Sequence, residues 1–261
     1  MEEKPTFAGV YDLALGGTSN TAADRQMLEY AKTALPDIML AAWANRGFLQ
    51  RAVKRMAADW GIRQFIDLGA GFPTQRNTHE VAGEVRSDAH VVYVDVDPRV
   101  VNRSRELLEG VAGTTAIQAD IRDPGAVLDH PETRRLIDFT EPVGVLVVAV
   151  THFLSDEDDP WGMVARYVDA VPSGSYLALS AVTSDRQEQG WEKILQSAVT
   201  YSGYPRTVAE VERFFTGVDL VPPYEGAKPA VAYIGLWGAD DPELADDDGS
   251  RLAYAAVARK P

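Results

Sequence analysis

The sequence predicts an α/β protein with a mostly parallel β-sheet covered by helices on both faces. Three observations carry this reading. Short, almost continuously apolar runs recur at residues 65–68, 91–96, 115–119, 143–150 and 176–182. Helical patterns at 74–85, 98–108, 131–139 and 160–171 separate them. Runs without polar alternation are buried on both faces, which is the mark of parallel strands in a βαβ arrangement with right-handed crossovers. The third observation is at the end of the chain. After a helical pattern at 207–218, two further strands at 219–225 and 251–260 follow with no helix between them, so the C-terminal strand should lie antiparallel at the sheet edge. The expected count is seven strands.

The first 60 residues read as a helical cap belonging to the same domain as residues 61–261. A turn-rich start leads to a helix over 22–35, capped by Thr21 or Ser19 and broken at Pro36. A second helix over 37–60 places Ile38, Leu40, Ala41, Ala44, Phe48, Leu49, Ala52, Val53 and Met56 near one face. Gly61 ends it, as a glycine beyond a helix C-terminus does.

Composition narrows the function. The chain has 261 residues, 46% of them apolar, enough for one sizeable core. A net charge of -14 repels phosphate backbones, so nucleic acid is not an expected partner. With no cysteine there is neither a thiolate metal site nor a cysteine nucleophile, which fits a reducing cytoplasm. The N-terminus lacks the pattern of a signal peptide, and the longest apolar run, 143–150, is far too short to cross a bilayer. The acidic stretch 239–248 reads as a solvated loop, and no metal site is expected. The expected partner is a small molecule in the cytoplasm, and nothing here opposes self-association.

Four strand ends carry the chemistry. In FIDLGAGFPT, residues 65–74, a buried strand ends in Asp67 and runs through Gly69, Ala70 and Gly71 toward a helix. Glycines at such a turn let a ligand lie against bare backbone. A dinucleotide fingerprint would need a glycine at Thr74 and free N–H groups for a diphosphate, but Pro73 has no N–H to offer. S-adenosylmethionine has no phosphate, and its ammonium end can pair with Asp67 directly or through water. At the second strand end, VDVDP, Asp95 before Val96 can accept the ribose hydroxyls, and Asp97 can do so or cap the next helix. At the third, Asp120 can take the adenine amino group while Ile121 covers the ring; a cap or loop carboxylate is the plainer alternative. At the fourth, Thr151 and His152 stand at the carboxyl edge of the sheet, where ligands of open α/β folds bind. His152 is the first candidate for a general base, and equally a structural histidine.

These four segments in this order resemble the class I S-adenosylmethionine-dependent methyltransferases. Pro172 and Gly174 are similar to that superfamily's turn into the fifth strand. A closer resemblance, over nearly the whole chain, is to a bacterial S-adenosyl methyltransferase family once labelled only as of unknown function. It is carried by VYDLALGGTSNTAADR (10–25), ANRGFLQRAV (44–53), GIRQFIDLGAGFPTQRNTHEVA (61–82), VVYVDVDP, ADIRDP, HFLSDEDDP and RTVAEVERFFTGVDLVPP (206–223). Thr18 and Ser19 replace the lysine and acid that usually precede Asn20 there, and residues 224–248 match poorly.

The resemblance implies a Rossmann-like methyltransferase fold, S-adenosylmethionine as cofactor, and N-terminal helices folded over it. It makes Tyr11, Gly16, Gly17, Asn20 and Arg46 candidates for closing the site, and Asn77 and His79 candidates for lining it. Tyr11 is then the second catalytic candidate, as a polar group near the methyl. The expected reaction is in-line methyl transfer to a small molecule. A non-catalytic S-adenosylmethionine binder is the alternative, and a nucleotide-dependent oxidoreductase is opposed by Pro73.

Overall fold

A computed structural model describes residues 4–73, 76–186, 190–191, 193–194 and 203–261. Strands β1 (Gln64–Leu68), β2 (His90–Asp95), β3 (Thr114–Gln118), β4 (Gly144–Val148) and β5 (Tyr176–Val182) match the five apolar runs and are parallel to one another. The remaining strands are β6 (Asp219–Leu220), β7 (Ala232–Tyr233) and β8 (Ala253–Arg259). The sheet order is β3-β2-β1-β4-β5-β8-β6, with β7 also paired to β8.

The described residues thus hold eight strands, one more than expected. The extra one, β7, is two residues long and shows no periodicity. Strand β6 shrinks to two residues because Pro222 and Pro223 cannot donate to a ladder. The C-terminal strand β8 is antiparallel to β5, as expected. It is not outermost, since β6 and β7 pair with it as well.

Alternate side chains of the sheet feed two cores. Ile66, Leu68, Val92, Val94, Val145 and Val147 pack on the face covered by α8 (Pro160–Asp169) and α9 (Val208–Arg213). Phe65, Val91, Tyr93 and Leu146 pack on the other, against Phe48, Val53 and Met56 of α3 (Ile38–Ala58). A third cluster, where Leu15, Leu28, Leu35 and Ala42 join the N-terminal helices, meets the sheet at Val182 at the end of β5.

That cap differs from expectation at its start. Residues read as turn-rich form α1 (Phe7–Ala14), whose Thr6 Oγ1 accepts from Gly9 N at 3.1 Å. Helix α2 (Ala22–Ala34) takes Thr21 as its cap. The Thr21 hydroxyl accepts from Asp24 N, and the Asp24 carboxylate accepts from Thr21 N. Ser19 instead donates its N–H to Asp12. Gly61 follows α3 at φ 71°, as a helix-ending glycine should. Helix α4 (Thr78–Gly83) is shorter than its pattern, whose first residue, Thr74, lies outside the described residues. Helix α5 (Pro98–Leu107) matches its pattern. The pattern at 131–139 becomes α7 (Pro131–Leu136), preceded by an unanticipated α6 (Pro124–Leu128). The acidic stretch contains one exposed turn of helix, Pro242–Ala245, and Asp246 pairs with Arg251 at 2.8 Å. Among the described residues no acidic or histidine cluster could hold a metal, and no helix is long and apolar enough to cross a membrane.

With β1 between β2 and β4, the crossovers depart in opposite directions. The carboxyl ends of β1 and β4 therefore flank a crevice, and the cap lies over it.

Candidate active site

The turn after β1 is shaped by two close approaches. Gly69 and Gly71 have φ of 71° and 63°, in the left-handed region that favours glycine. A Cβ on Gly69 would stand 2.5 Å from Val150, so only a bare backbone passes the end of β4 there. A Cβ on Gly71 would meet no protein atom and would project into open space. The Gly69 and Ala70 N–H groups donate to Val94 O at 2.8 and 3.0 Å. The Gly71 N–H donates to Asp95 Oδ2 at 2.9 Å. Asp95 Oδ1 accepts from Asp97 N, also at 2.9 Å, so one carboxylate ties the β1 turn to the β2 turn. Asp97 caps α5 through Arg99 N.

Beneath this turn Asp67 is buried and accepts from Thr78 Oγ1 at 2.7 Å. Burial raises its pKa to about 6, against the lowering effects of the Thr78 hydroxyl and the Arg46 cation. Arg46 is itself only 5% exposed, its guanidinium stacks 5.6 Å from the Tyr11 ring centre, and its Nε has no hydrogen-bond partner. A buried, unmatched Nε–H thus stands near a buried carboxylate of raised pKa at the foot of the crevice.

From this point a polar chain runs along the cap. Ser180 Oγ donates to Asn45 Oδ1 at 2.6 Å, and Asn45 Nδ2 donates to Tyr11 Oη at 2.9 Å. Burial holds the Tyr11 phenol above its ordinary pKa, so it stays protonated. His152 is buried at the end of β4. Its Nδ1 accepts from Val182 N at 3.4 Å. Burial, reinforced by the Arg206 cation, pushes its pKa down to about 3.

One cavity of about 360 Å³ joins these groups, a volume typical of small-molecule sites. Of the residues expected from sequence, Asp67, Gly69, Ala70, Gly71, Asp95, Val96, Asp120, Ile121, Arg46, Tyr11 and His152 line it. Asp120 also grips Arg122, with Oδ2 2.6 Å from the guanidinium, which lowers its pKa.

Pro73, Thr151, Asn20 and Asn77 do not line it. Pro73 lies past the glycine turn. Thr151 is fully buried with an unpartnered hydroxyl. Asn20 Nδ2 donates to Asp12 at 2.9 Å, bracing the loop after α1. Asn77 caps α4 with Glu80. Gly16, Gly17 and His79 also lie outside the lining, and His79 is held by the Tyr93 hydroxyl at 2.7 Å. Sequence reasoning passed over Asn45 and Ser180. Each interrupts an apolar stripe, Asn45 in the helix MLAAWANRGFL and Ser180 in the strand YLALSAV, and that interruption was the available signal.

The sequence matches the S-adenosyl methyltransferase family over residues 2–261. The chain belongs to that family. Its methyl donor is accordingly S-adenosylmethionine, and it is a methyltransferase with the Rossmann-like fold of the class. Among solved structures it is similar to a proposed methyltransferase from Thermobifida fusca YX, with 40% identity, a TM-score of 0.90, and coverage of 98% of this chain and 95% of that one. It is also similar to a DUF574 family protein from Streptomyces avermitilis MA-4680, at 38% identity and TM-score 0.91, covering 99% of this chain and 98% of that one. The N-methyltransferase NodS from Bradyrhizobium japonicum WM9, solved with S-adenosyl-L-homocysteine, shares the fold at 11% identity and TM-score 0.51, covering 81% and 85%. A search of curated proteins found no match.

The residues present in this methyltransferase fit its cofactor. The open space in front of Gly71, the unmatched Arg46 Nε and the reluctant Asp67 carboxylate accommodate an amino-acid end bearing both charges.

Proposed function

We propose that this methyltransferase acts on a small-molecule acceptor held between the helical cap and the carboxyl edge of the sheet. The observation that carries this reading is the continuity of the cavity. A single lined space runs from Gly71 and Asp95 to the apolar walls of α1, α2 and α3. The acidic surface supports a small acceptor over nucleic acid.

When bound, the cofactor supplies a methyl group on a sulfonium, and its C–S bond breaks as the acceptor's nucleophile forms the new bond, leaving a neutral thioether and a proton for the solvent. The protein's own work is positional. Asp95 would hold a ribose, and Asp67 and Arg46 would hold the two charged ends of the amino acid. Ile121 and Val96 would cover the adenine beside Asp120. The cap excludes water. Alignment of this kind is worth roughly 7–11 kcal/mol of barrier.

The proposed role of His152 changes with its surroundings. The sequence suggested a general base. An imidazole whose Nδ1 accepts a backbone N–H, and whose pKa sits near 3, is neutral with its proton on Nε2. It then serves as a neutral hydrogen-bond donor that orients the acceptor. We expect His152→Ala to lower kcat about tenfold or more while S-adenosylhomocysteine affinity stays within about twofold. The wild-type rate should show no limb near pH 6.5 from this residue.

Asp95→Ala should instead weaken S-adenosylhomocysteine binding by about tenfold or more in calorimetry. The site itself is tested by heat. At about 100 times its Kd, S-adenosylhomocysteine should stabilise the fold by about 2.7 kcal/mol, while NAD at the same concentration should shift nothing. Equal protection by NAD would remove the proposed arrangement.

A further inference from the structure

The cavity has two chemically different halves. The cofactor half contains every charged group among the described lining residues: Arg46, Asp67, Asp95, Asp97, Asp120 and Arg122. The other half lies under the cap, with walls that include Phe7, Val10, Met27, Leu28, Ile38 and Leu252. Its described lining contributes no charged side chain, only the neutral polar groups of Thr6, Tyr11, Asn45, His152, Ser180 and Trp191.

These neutral groups are arranged for use. The Tyr11 hydroxyl accepts from Asn45 at 2.9 Å and donates to Ala42 O over a long 3.3 Å, and the second lone pair of its oxygen can take a further donor. The Trp191 Nε1–H is buried without a partner, a donor that a ligand's oxygen would satisfy. His152 adds a second neutral donor. The roof is tied down where the ring of Phe7 in α1 packs at a tilt against Phe153 after β4, with ring centres 4.3 Å apart. A protonated amine entering here would lose its water and meet no carboxylate, and a carboxylate would meet only Arg46, which lies over the Tyr11 ring at the border of the two halves and faces Asp67, so either charge is costly to bury. An uncharged one loses little and gains apolar contact.

Resting on the methyl-transfer reading above, we infer that the acceptor is an uncharged, largely apolar small molecule bearing a hydroxyl, which donates to Tyr11 and accepts from Trp191 or His152. Neither a carboxylate nor a protonated amine fits this half of the cavity.

The test uses the full chain loaded with S-adenosylhomocysteine and three probes of one skeleton: 2-naphthol, 2-naphthoate and 2-naphthylmethylamine. Calorimetry of the first loading step stands alone. If S-adenosylhomocysteine fails to bind, the cofactor reading falls and this inference falls with it. With the cofactor product bound, 2-naphthol should bind and both charged analogues should bind at least about tenfold more weakly at pH 7. Equal or tighter binding of either charged probe, or no binding of any of the three, overturns the inference while leaving the cofactor site intact. Tyr11→Phe should weaken 2-naphthol about tenfold yet keep the discrimination against charge. Ala14→Leu, which narrows the apolar half from α1, should abolish 2-naphthol binding with S-adenosylhomocysteine affinity within about twofold. Survival of naphthol binding in that variant would place the probe elsewhere and overturn the assignment.

Discussion

Asp67 shows how one residue can serve the site at the expense of the empty fold. Its pKa of about 6 in the folded chain lies above the ordinary 3.8, so the folded state holds a proton that the unfolded chain has released. Its contribution is fully present below pH 3.8 and is lost as pH rises through about 6. The shift corresponds to a destabilisation on the order of 1–3 kcal/mol at neutral pH. Asp67→Asn, which can still accept from Thr78, should therefore raise the melting temperature of the ligand-free protein above pH 6, with the gain fading toward pH 4. The same change should cost cofactor affinity. In the wild type, S-adenosylhomocysteine should bind more tightly as pH rises from 5 to 7, because only the carboxylate pairs with an ammonium. In Asp67→Asn that slope should flatten. A wild-type affinity indifferent to pH would contradict the pairing.

The elements divide according to what stabilises them. Helix α2 carries its own start signal, and Thr21→Ala should cost about 1 kcal/mol in denaturant melts. Helix α1 depends on its neighbour. Gly9 lies so close to the Asp24 carboxylate that an added Cβ would overlap it, and that carboxylate already accepts from Thr6 N and Thr21 N, each at 2.8 Å. It cannot move without breaking the α2 cap. Gly9→Ala should accordingly destabilise the chain by about 1–3 kcal/mol, measured by urea unfolding. Strands β1, β4 and β5, which matched their apolar runs, are buried almost throughout, so composition alone carries their signal, whereas the edge strand β3 is only partly buried. The short strands β6 and β7 exist because β8 offers them a partner, and nothing local marks them.

For the whole molecule the dominant global term is charge. With 39 acidic against 25 basic side chains the surface repels itself, and the ion pairs that offset this are mostly exposed. Salt screens the long-range repulsion more than it weakens such pairs. The melting temperature should therefore rise between 10 and 200 mM monovalent salt, by about 2–4 °C for each kcal/mol relieved. A fall would mean that the pairs outweigh the repulsion. At this scale the βα alternation and the order of the strand-end motifs were readable directly in the sequence, whereas Asp95, read there as a ribose ligand, is seen in the structure to tie the β1 and β2 turns together. The alternation and the order follow from chain-local rules: apolar runs bury, glycine turns bend, and strand ends present what comes next. The roles of Asn45, Ser180 and His152 were not readable. A hydroxyl, an amide and an imidazole acquire their function from groups distant in sequence, such as Ser180 beside Asn45 or Arg206 near His152. Local chemistry thus marked the strand ends and glycine turn that line the crevice. The neutrality of the adjoining chamber, and the protonation of what lines it, arose only when the cap closed over the sheet and removed the water.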